Sequence, residues 1–195
     1  MGQQAGAIFL DRDGVLNRAV VRGGKPYPPN CVEELAIDAG VLEALGRLAA
    51  AGFLLIGITN QPDVARGTQT RQRVEEINQV LLDRLPLKQI RVCYHDDKDH
   101  CGCRKPQPGL LTAAVQEFGV ELGASFMIGD RWKDIEAGRR AGCSTIWLQA
   151  DYSEAWQGGP PDYTATDLND AVDFILATRA GTIDGARFIS HRRTP

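Results

Sequence analysis

The chain of 195 residues is 43% hydrophobic and 24% charged, an ordinary composition for a globular protein with a substantial core. A net charge of −3 gives no global basic field for nucleic acid or anionic lipid, and neither an apolar run of membrane-spanning length nor a secretory or twin-Arg leader is present. The expected setting is the cytoplasm, with one domain over 1–180 and a loosely held tail over 181–195.

Ala7 to Leu10 is a short apolar run of buried-strand type, followed at once by Asp11, Asp13 and Gly14. From Arg18 to Asp38, Gly23, Gly24, Pro26, Pro28 and Pro29 favour a loop, long enough to form a flap over an adjacent site. Gly40 to Ala51 reads as a helix with Val41, Leu42, Leu45 and Leu48 on one face, ended by Gly52. Phe53 to Asn60 is a continuous apolar run suited to a buried parallel strand. After a loop, Thr70 caps a helix carrying Val74, Ile77, Leu81 and Leu85, closed at Pro86. Ile90 to His95 reads as a third strand, and Pro108 to Phe118 as a helix with Leu111, Val115 and Phe118 inward. Ser125 to Asp130 is a fourth strand, Asp134 to Gly142 a helix and Ser144 to Leu148 a fifth strand. Asp167 caps a last helix with Leu168, Val172, Ile175 and Leu176. Strands alternating with helices predict an α/β, doubly wound fold with a mostly parallel sheet.

Residues i and i+2 share a face of extended chain, so Asp11 and Asp13 point to one spot at a strand's carboxyl end, where open α/β sheets place ligands. Two anions this close repel unless a cation or a shared proton lies between them, and Mg²⁺ is the natural occupant. One carboxylate can then attack an electrophile while the other handles a proton. A loop with two solvated acids is the plainer alternative; a calcium loop is excluded because Leu16 stands where the EF-hand needs glycine.

Thr59 and Asn60 end the second strand with a hydroxyl and an amide that can bond phosphate oxygens, although both types also serve turns. Arg104 and Lys105 precede a helix. The lysine supplies a compact charge for a phosphoryl group and the arginine a planar fork for a second anion, unless the two form an ordinary surface pair. Asp130 can complete an oxygen cage with Asp11 or cap the following helix, and Asp134 lies one turn on, near enough to brace Lys105 or the waters of a metal. Of the five cysteines, Cys93, Cys101 and Cys103 cluster with His95. Three thiolates and an imidazole are the ligand set of a closed tetrahedral zinc site; free thiols are the alternative, and His100 can substitute for His95. Cys31 and Cys143 are isolated and read as small buried apolar residues.

Asp-x-Asp-Gly after the first strand, Thr59 after the second, Lys105 before a helix and Gly129-Asp130-x-x-x-Asp134 resemble, in order and separation, the haloacid dehalogenase (HAD) superfamily, from Ala7 to about Leu148. The resemblance implies that Asp11 is the nucleophile forming an aspartyl-phosphate and Asp13 the general acid and base. It also implies that Thr59 and Lys105 hold the transferring phosphoryl group, and that Mg²⁺ sits on the Asp11 carboxylate, the Asp13 main-chain carbonyl and Asp130. FLDRDGVLN, TNQPDVARG, the Cys/His cluster and CRKPQPG are together similar to the subgroup of heptose bisphosphate and histidinol-phosphate phosphatases, which lack a large cap domain. That subgroup implies structural zinc on Cys93, His95, Cys101 and Cys103, and substrate contacts from Asn60, Arg104 and Arg131.

The expected activity is hydrolysis of a small phosphorylated metabolite, with the 7-phosphate of a heptose 1,7-bisphosphate preferred and histidinol phosphate the alternative. Against the resembled heptose phosphatases, Pro62-Asp63 stands where Ser-Gly is frequent and the Cys/His loop is short, as in histidinol-phosphate phosphatases; a standalone phosphatase chain with an extra basic pair for a second phosphate favours the heptose bisphosphate. A polynucleotide 3′-phosphatase fits less well for want of basic charge. A non-catalytic phosphate-binding module fits less well because Asp11, Asp13, Lys105 and Asp130 are all present. A monomer is expected.

Overall fold

The computed structural model describes residues 6–152 and 154–182. Its centre is β1 (Ala7–Leu10), whose four residues are all fully buried. Because side chains alternate along a strand, Ile8 and Leu10 enter one core while Ala7 and Phe9 enter a second on the opposite face. β4 (Leu54–Asn60), β5 (Gln89–Cys93), β6 (Phe126–Gly129), β7 (Ser144–Leu148) and β8 (Tyr163–Ala165) complete a six-stranded sheet in the order β5-β4-β1-β6-β7-β8. All five pairings are parallel. The chain leaves β1 toward β4 on one side and returns to β6 on the other, so the crevice of this doubly wound sheet opens at the carboxyl end of β1.

Helices α1 (Ala39–Ala50), α2 (Arg71–Arg84) and α5 (Leu168–Arg179) cover the larger core with Leu45, Leu48, Ile77, Leu81 and Ile175. Helices α3 (Gly109–Phe118) and α4 (Trp132–Ala141) cover the other face with Leu111, Ala114 and Ala137. The predicted caps are present: Thr70 accepts a hydrogen bond from the Arg73 N–H, and Asp167 one from the Asp170 N–H. Among the described residues no helix is long and apolar enough to cross a membrane.

Several expectations need correction. Leu42 is 55% exposed, because the buried stripe of α1 runs through Val41, Ala44, Leu45 and Leu48 and leaves Leu42 about a quarter-turn off it. Cys31 is half-buried rather than buried, whereas Cys143 is buried. The third strand stops at Cys93, so Tyr94 and His95 lie beyond the sheet. α4 begins at Trp132, two residues before the expected start. The segment expected to be loop contains a hairpin, β2 (Val20–Arg22) and β3 (Lys25–Tyr27), turned by Gly23 and Gly24 at φ of +57° and +74°. Two successive positive φ values form the turn whose twist matches paired strands, and glycine adopts them without strain. The tail expectation falls on residues beyond 182, outside the described residues.

Candidate active site

Asp11 leaves the end of β1 with its main-chain N–H on the Ile128 carbonyl of β6 at 2.9 Å, so the sheet itself sets the position of the carboxylate. Its Oδ1 accepts from Lys105 Nζ at 2.5 Å, and the same ammonium meets Asp134 Oδ1 at 2.6 Å and donates to the Ile58 carbonyl at 2.8 Å. Burial tends to discharge Lys105, but Asp11 and Asp134 hold its pKa above the ordinary lysine value. Burial likewise drives Asp11 up to about 6, with Lys105 opposing and Asp134 and Asp13 adding to the rise.

Asp130 follows β6 and is 4% exposed, yet neither of its carboxylate oxygens has a hydrogen-bond partner among the described residues. Burial first, then Asp11 and Asp134, push its pKa well above the carboxylate range. Gly14 makes this approach possible. It has φ +113°, and a Cβ there would stand 2.1 Å from Asp130 Oδ2. Ligand oxygens of Asp11, Asp130 and Asp134 all lie within 4.8 Å of one another. Three clustered acids facing one lysine leave excess negative charge, and the unpartnered oxygens of Asp130 are hard donors of the kind Mg²⁺ takes. The donor set fits that cation.

Asp13 lines the same cavity as Asp11 but is held from behind. Arg12, fully buried, donates through Nη2 to Asp13 Oδ2 at 2.9 Å and through Nη1 to Asn78 Oδ1 of α2 at 2.8 Å. Asn17 Nδ2 and Gln61 Nε2 also donate to the Asp13 carboxylate, at 3.1 and 2.8 Å. Gln61 Nε2 donates as well to Thr59 Oγ1 at 2.9 Å, which leaves the Thr59 hydroxyl proton free to donate elsewhere. Arg12 and Gln61 are site residues that the motifs of the sequence do not mark. An arginine flanked by two aspartates was the available signal for the first, and nothing marked the second.

The other predicted substrate residues are engaged within the protein. Asn60 buckles the end of β4 to the Lys105 main chain, its Nδ2 donating to the carbonyl and its Oδ1 accepting the N–H, both at 3.0 Å. Arg131 lines the cavity with its guanidinium paired to Glu154. Arg104 lies in a neighbouring cavity that shares Lys105, where its Nε donates to Asp97 at 2.7 Å and its Nη1 to the His95 carbonyl at 3.4 Å. Pro26, Tyr27 and Pro28 bring the hairpin to the rim of the first cavity, and Lys133 of α4 lines it as well.

The sulfur cluster lies just past β5. Cys103 Sγ is 3.4 Å from both Cys93 Sγ and Cys101 Sγ, those two are 3.7 Å apart, and His95 Nδ1 is 3.3 Å from Cys103 Sγ. Sulfurs around a tetrahedral zinc at about 2.3 Å stand roughly 3.8 Å apart, so this spacing suits a shared cation. His95 joins the cluster, whereas His100, at φ +45°, faces the neighbouring cavity.

Fold and site together are those of a HAD-like hydrolase. A HAD-hydrolase-like family model matches residues 102–171. The D-glycero-D-manno-heptose-1,7-bisphosphate 7-phosphatase of Chlorobaculum tepidum is 35% identical over 191 residues, covering 87% of this chain and 94% of that one. The D-glycero-beta-D-manno-heptose-1,7-bisphosphate 7-phosphatase of Escherichia coli K12 is 33% identical over 74% of this chain and 79% of its own. The solved D,D-heptose 1,7-bisphosphate phosphatase of B. bronchiseptica, complexed with magnesium and phosphate, superposes with a TM-score of 0.72 at 26% identity, covering 89% of this chain and 99% of that one. The chain belongs to this heptose bisphosphate phosphatase family of HAD-like phosphoric monoester hydrolases.

Proposed function

We propose that the protein is a Mg²⁺-dependent phosphatase that removes the 7-phosphate of D-glycero-D-manno-heptose 1,7-bisphosphate, as the names of its relatives indicate for them. The observation that carries the reading is the buried cluster in which Asp11 meets Lys105 Nζ at 2.5 Å beside the unpartnered carboxylate of Asp130. It combines a nucleophile, a fixed positive charge and a site for a divalent cation, which is what phosphoryl transfer requires.

Asp11 attacks phosphorus and forms the aspartyl-phosphate while the P–O bond to the sugar breaks. Asp13 gives a proton to the departing sugar oxygen. It then takes one from the water that cleaves the acyl phosphate, which returns the Asp11 carboxylate and releases phosphate. Lys105 offsets the charge on the transferring group, and Thr59 donates its free hydroxyl proton to a phosphoryl oxygen. The Asp11 carboxylate, the Asp13 main-chain carbonyl and Asp130 would hold Mg²⁺, which would supply charge neutralisation for the phosphoryl oxygens. Zinc on Cys93, His95, Cys101 and Cys103 is structural in this scheme and fixes the loop that carries Lys105.

The test is phosphate release with Mg²⁺ from both anomers of the heptose 1,7-bisphosphate, from histidinol phosphate and from a 3′-phosphorylated oligonucleotide, with Asp11→Asn protein as the blank. A clear preference for a heptose bisphosphate is expected. Preference for histidinol phosphate keeps the mechanism and overturns the substrate.

A further inference from the structure

The cations around the cavity are not equally available. Lys105 is held by Asp11 and Asp134, Arg131 by Glu154, and Arg104 next door by Asp97. A ligand anion reaching Arg131 or Arg104 competes with a carboxylate of the protein, which removes most of the gain from pairing. Lys133 differs. It lines the cavity beside Asp11 and Thr59, and among the described residues it has no ion pair and no side-chain hydrogen bond. Its ammonium lies 5.7 Å from the centre of the neighbouring Trp132 ring.

Helix stability does not explain this placement. Lys133 is in the first turn of α4, where the helix dipole disfavours a cation and favours an anion. Its charge also reaches Asp97 of the neighbouring cavity, whose carboxyl is held below its ordinary value by Arg104 first and by Lys133 in addition. Lys133 therefore lines the Asp11 cavity on the side whose charge reaches Asp97, which belongs to the Arg104 cavity.

The geometry points to Lys133 as the residue that binds the second, non-reacting anionic group of a bisphosphorylated substrate. The inference rests on the function proposed above and adds to it the source of preference for a bisphosphate over a monophosphate. A lysine suits the task because its flexible stem can follow a phosphate carried on a sugar of either configuration.

The experiment compares wild type with Lys133→Met, which keeps the apolar stem, and Lys133→Arg, which keeps the charge. Steady-state kinetics are run on the heptose 1,7-bisphosphate and on the matched 7-phosphate without the second phosphate. In Lys133→Met the bisphosphate KM rises roughly tenfold relative to the monophosphate KM, the usual effect of one lost charge-assisted hydrogen bond. The change falls on KM rather than kcat, and Lys133→Arg recovers most of it. An equal change for both substrates, or a change confined to kcat, overturns the assignment. Failure of wild type to hydrolyse the heptose bisphosphate overturns the proposed function instead. Lys133 is then judged by competition against p-nitrophenyl phosphate turnover, using fructose 1,6-bisphosphate and fructose 6-phosphate as inhibitors. Selective weakening of the bisphosphate in Lys133→Met supports the role, and parallel inhibition by both sugars refutes it.

Discussion

Asp130 sets function against stability in a way that one substitution exposes. Its carboxylate is buried, unpartnered in the protein and surrounded by Asp11 and Asp134. An uncompensated buried charge costs about 3–5 kcal/mol. An unpaired buried amide of the same shape costs about 1–3 kcal/mol. Asp130→Asn should therefore stabilise the metal-free protein by about 2 kcal/mol, a rise in Tm of about 4–8 °C for a chain of this size, while abolishing turnover.

The pH dependence follows from the raised carboxyl values of Asp130 and Asp11 in the metal-free fold, the latter at about 6. Between the unfolded carboxyl value and these folded values the native state binds more protons than the unfolded state. Metal-free stability thus falls as pH rises through that window, and the full penalty is present above it. The advantage of Asp130→Asn in EDTA should grow as pH rises through the raised folded value of Asp130 and shrink as pH drops toward the ordinary carboxylate range. Added Mg²⁺ at a hundred times its Kd stabilises wild type by about 2.7 kcal/mol and should leave the variant nearly unmoved. Thermal unfolding followed by circular dichroism, with EDTA or Mg²⁺ over this pH range, measures both effects. A variant no more stable than wild type in EDTA, or one that Mg²⁺ stabilises equally, would refute the assignment of Asp130 as an uncompensated metal ligand.

Three further outcomes are expected. Asp13→Asn slows turnover by roughly 10²–10⁴, and rapid-quench mass spectrometry should find protein phosphorylated on Asp11; a nearly unchanged rate removes Asp13 from acid–base work. Arg12→Met removes the cation paired with Asp13, leaving that carboxylate only the amides of Asn17 and Gln61, and takes the Arg12 donor from Asn78 Oδ1; it should cost about 3 kcal/mol, read as a lower denaturation midpoint in urea, and a midpoint within error of wild type would show the buried pair to be neutral. Cys101→Ala should release zinc, measured by elemental analysis of the purified protein, and raise KM through the loosened 93–103 loop. Equal metal content in variant and wild type counts against the four-ligand site.

The parts of the fold with strong periodicity were legible in the sequence. The apolar runs at 7–10, 54–60 and 144–148 and the stripes of α2 and α5 have few alternative interpretations, because a buried parallel strand must be apolar on both faces. β8 carried no such signal: three residues, Tyr163 to Ala165, pair at the sheet edge and only Ala165 is buried. The β2–β3 hairpin was hidden for a similar reason, since its strands are half-exposed or exposed and only the two glycines mark its turn. In the site, carboxylates at strand ends could be placed because the sheet dictates their direction. The partners of the long side chains could not. Nothing in spacing says that Arg104 turns to Asp97, that Arg131 turns to Glu154 or that Arg12 reaches Asn78, since these are choices of rotamer among residues distant in sequence.

This difference between strand-borne and loop-borne groups accounts for the attachments around Lys105. Asp11, Thr59 and Asp130 inherit their positions from parallel strands whose hydrogen bonds fix them. Lys105 sits on a loop, where ordering each residue costs about 1–2 kcal/mol of backbone entropy, and its ammonium must still fall within hydrogen-bond range of Asp11. Three contacts restrain that loop. Asn60 ties the Lys105 main chain to β4 through two hydrogen bonds, and the Gly109 N–H meets the Gly102 carbonyl at 3.0 Å. That second closure is so tight that a Cβ on Gly109 would lie 2.3 Å from the same oxygen. The third is the sulfur cluster, whose Cys103 is two residues from Lys105 and whose Cys93 ends β5. A zinc ion there would join the loop to the sheet by metal–ligand bonds. Lys105 would then gain the rigidity that its carboxylate partners receive from the strands.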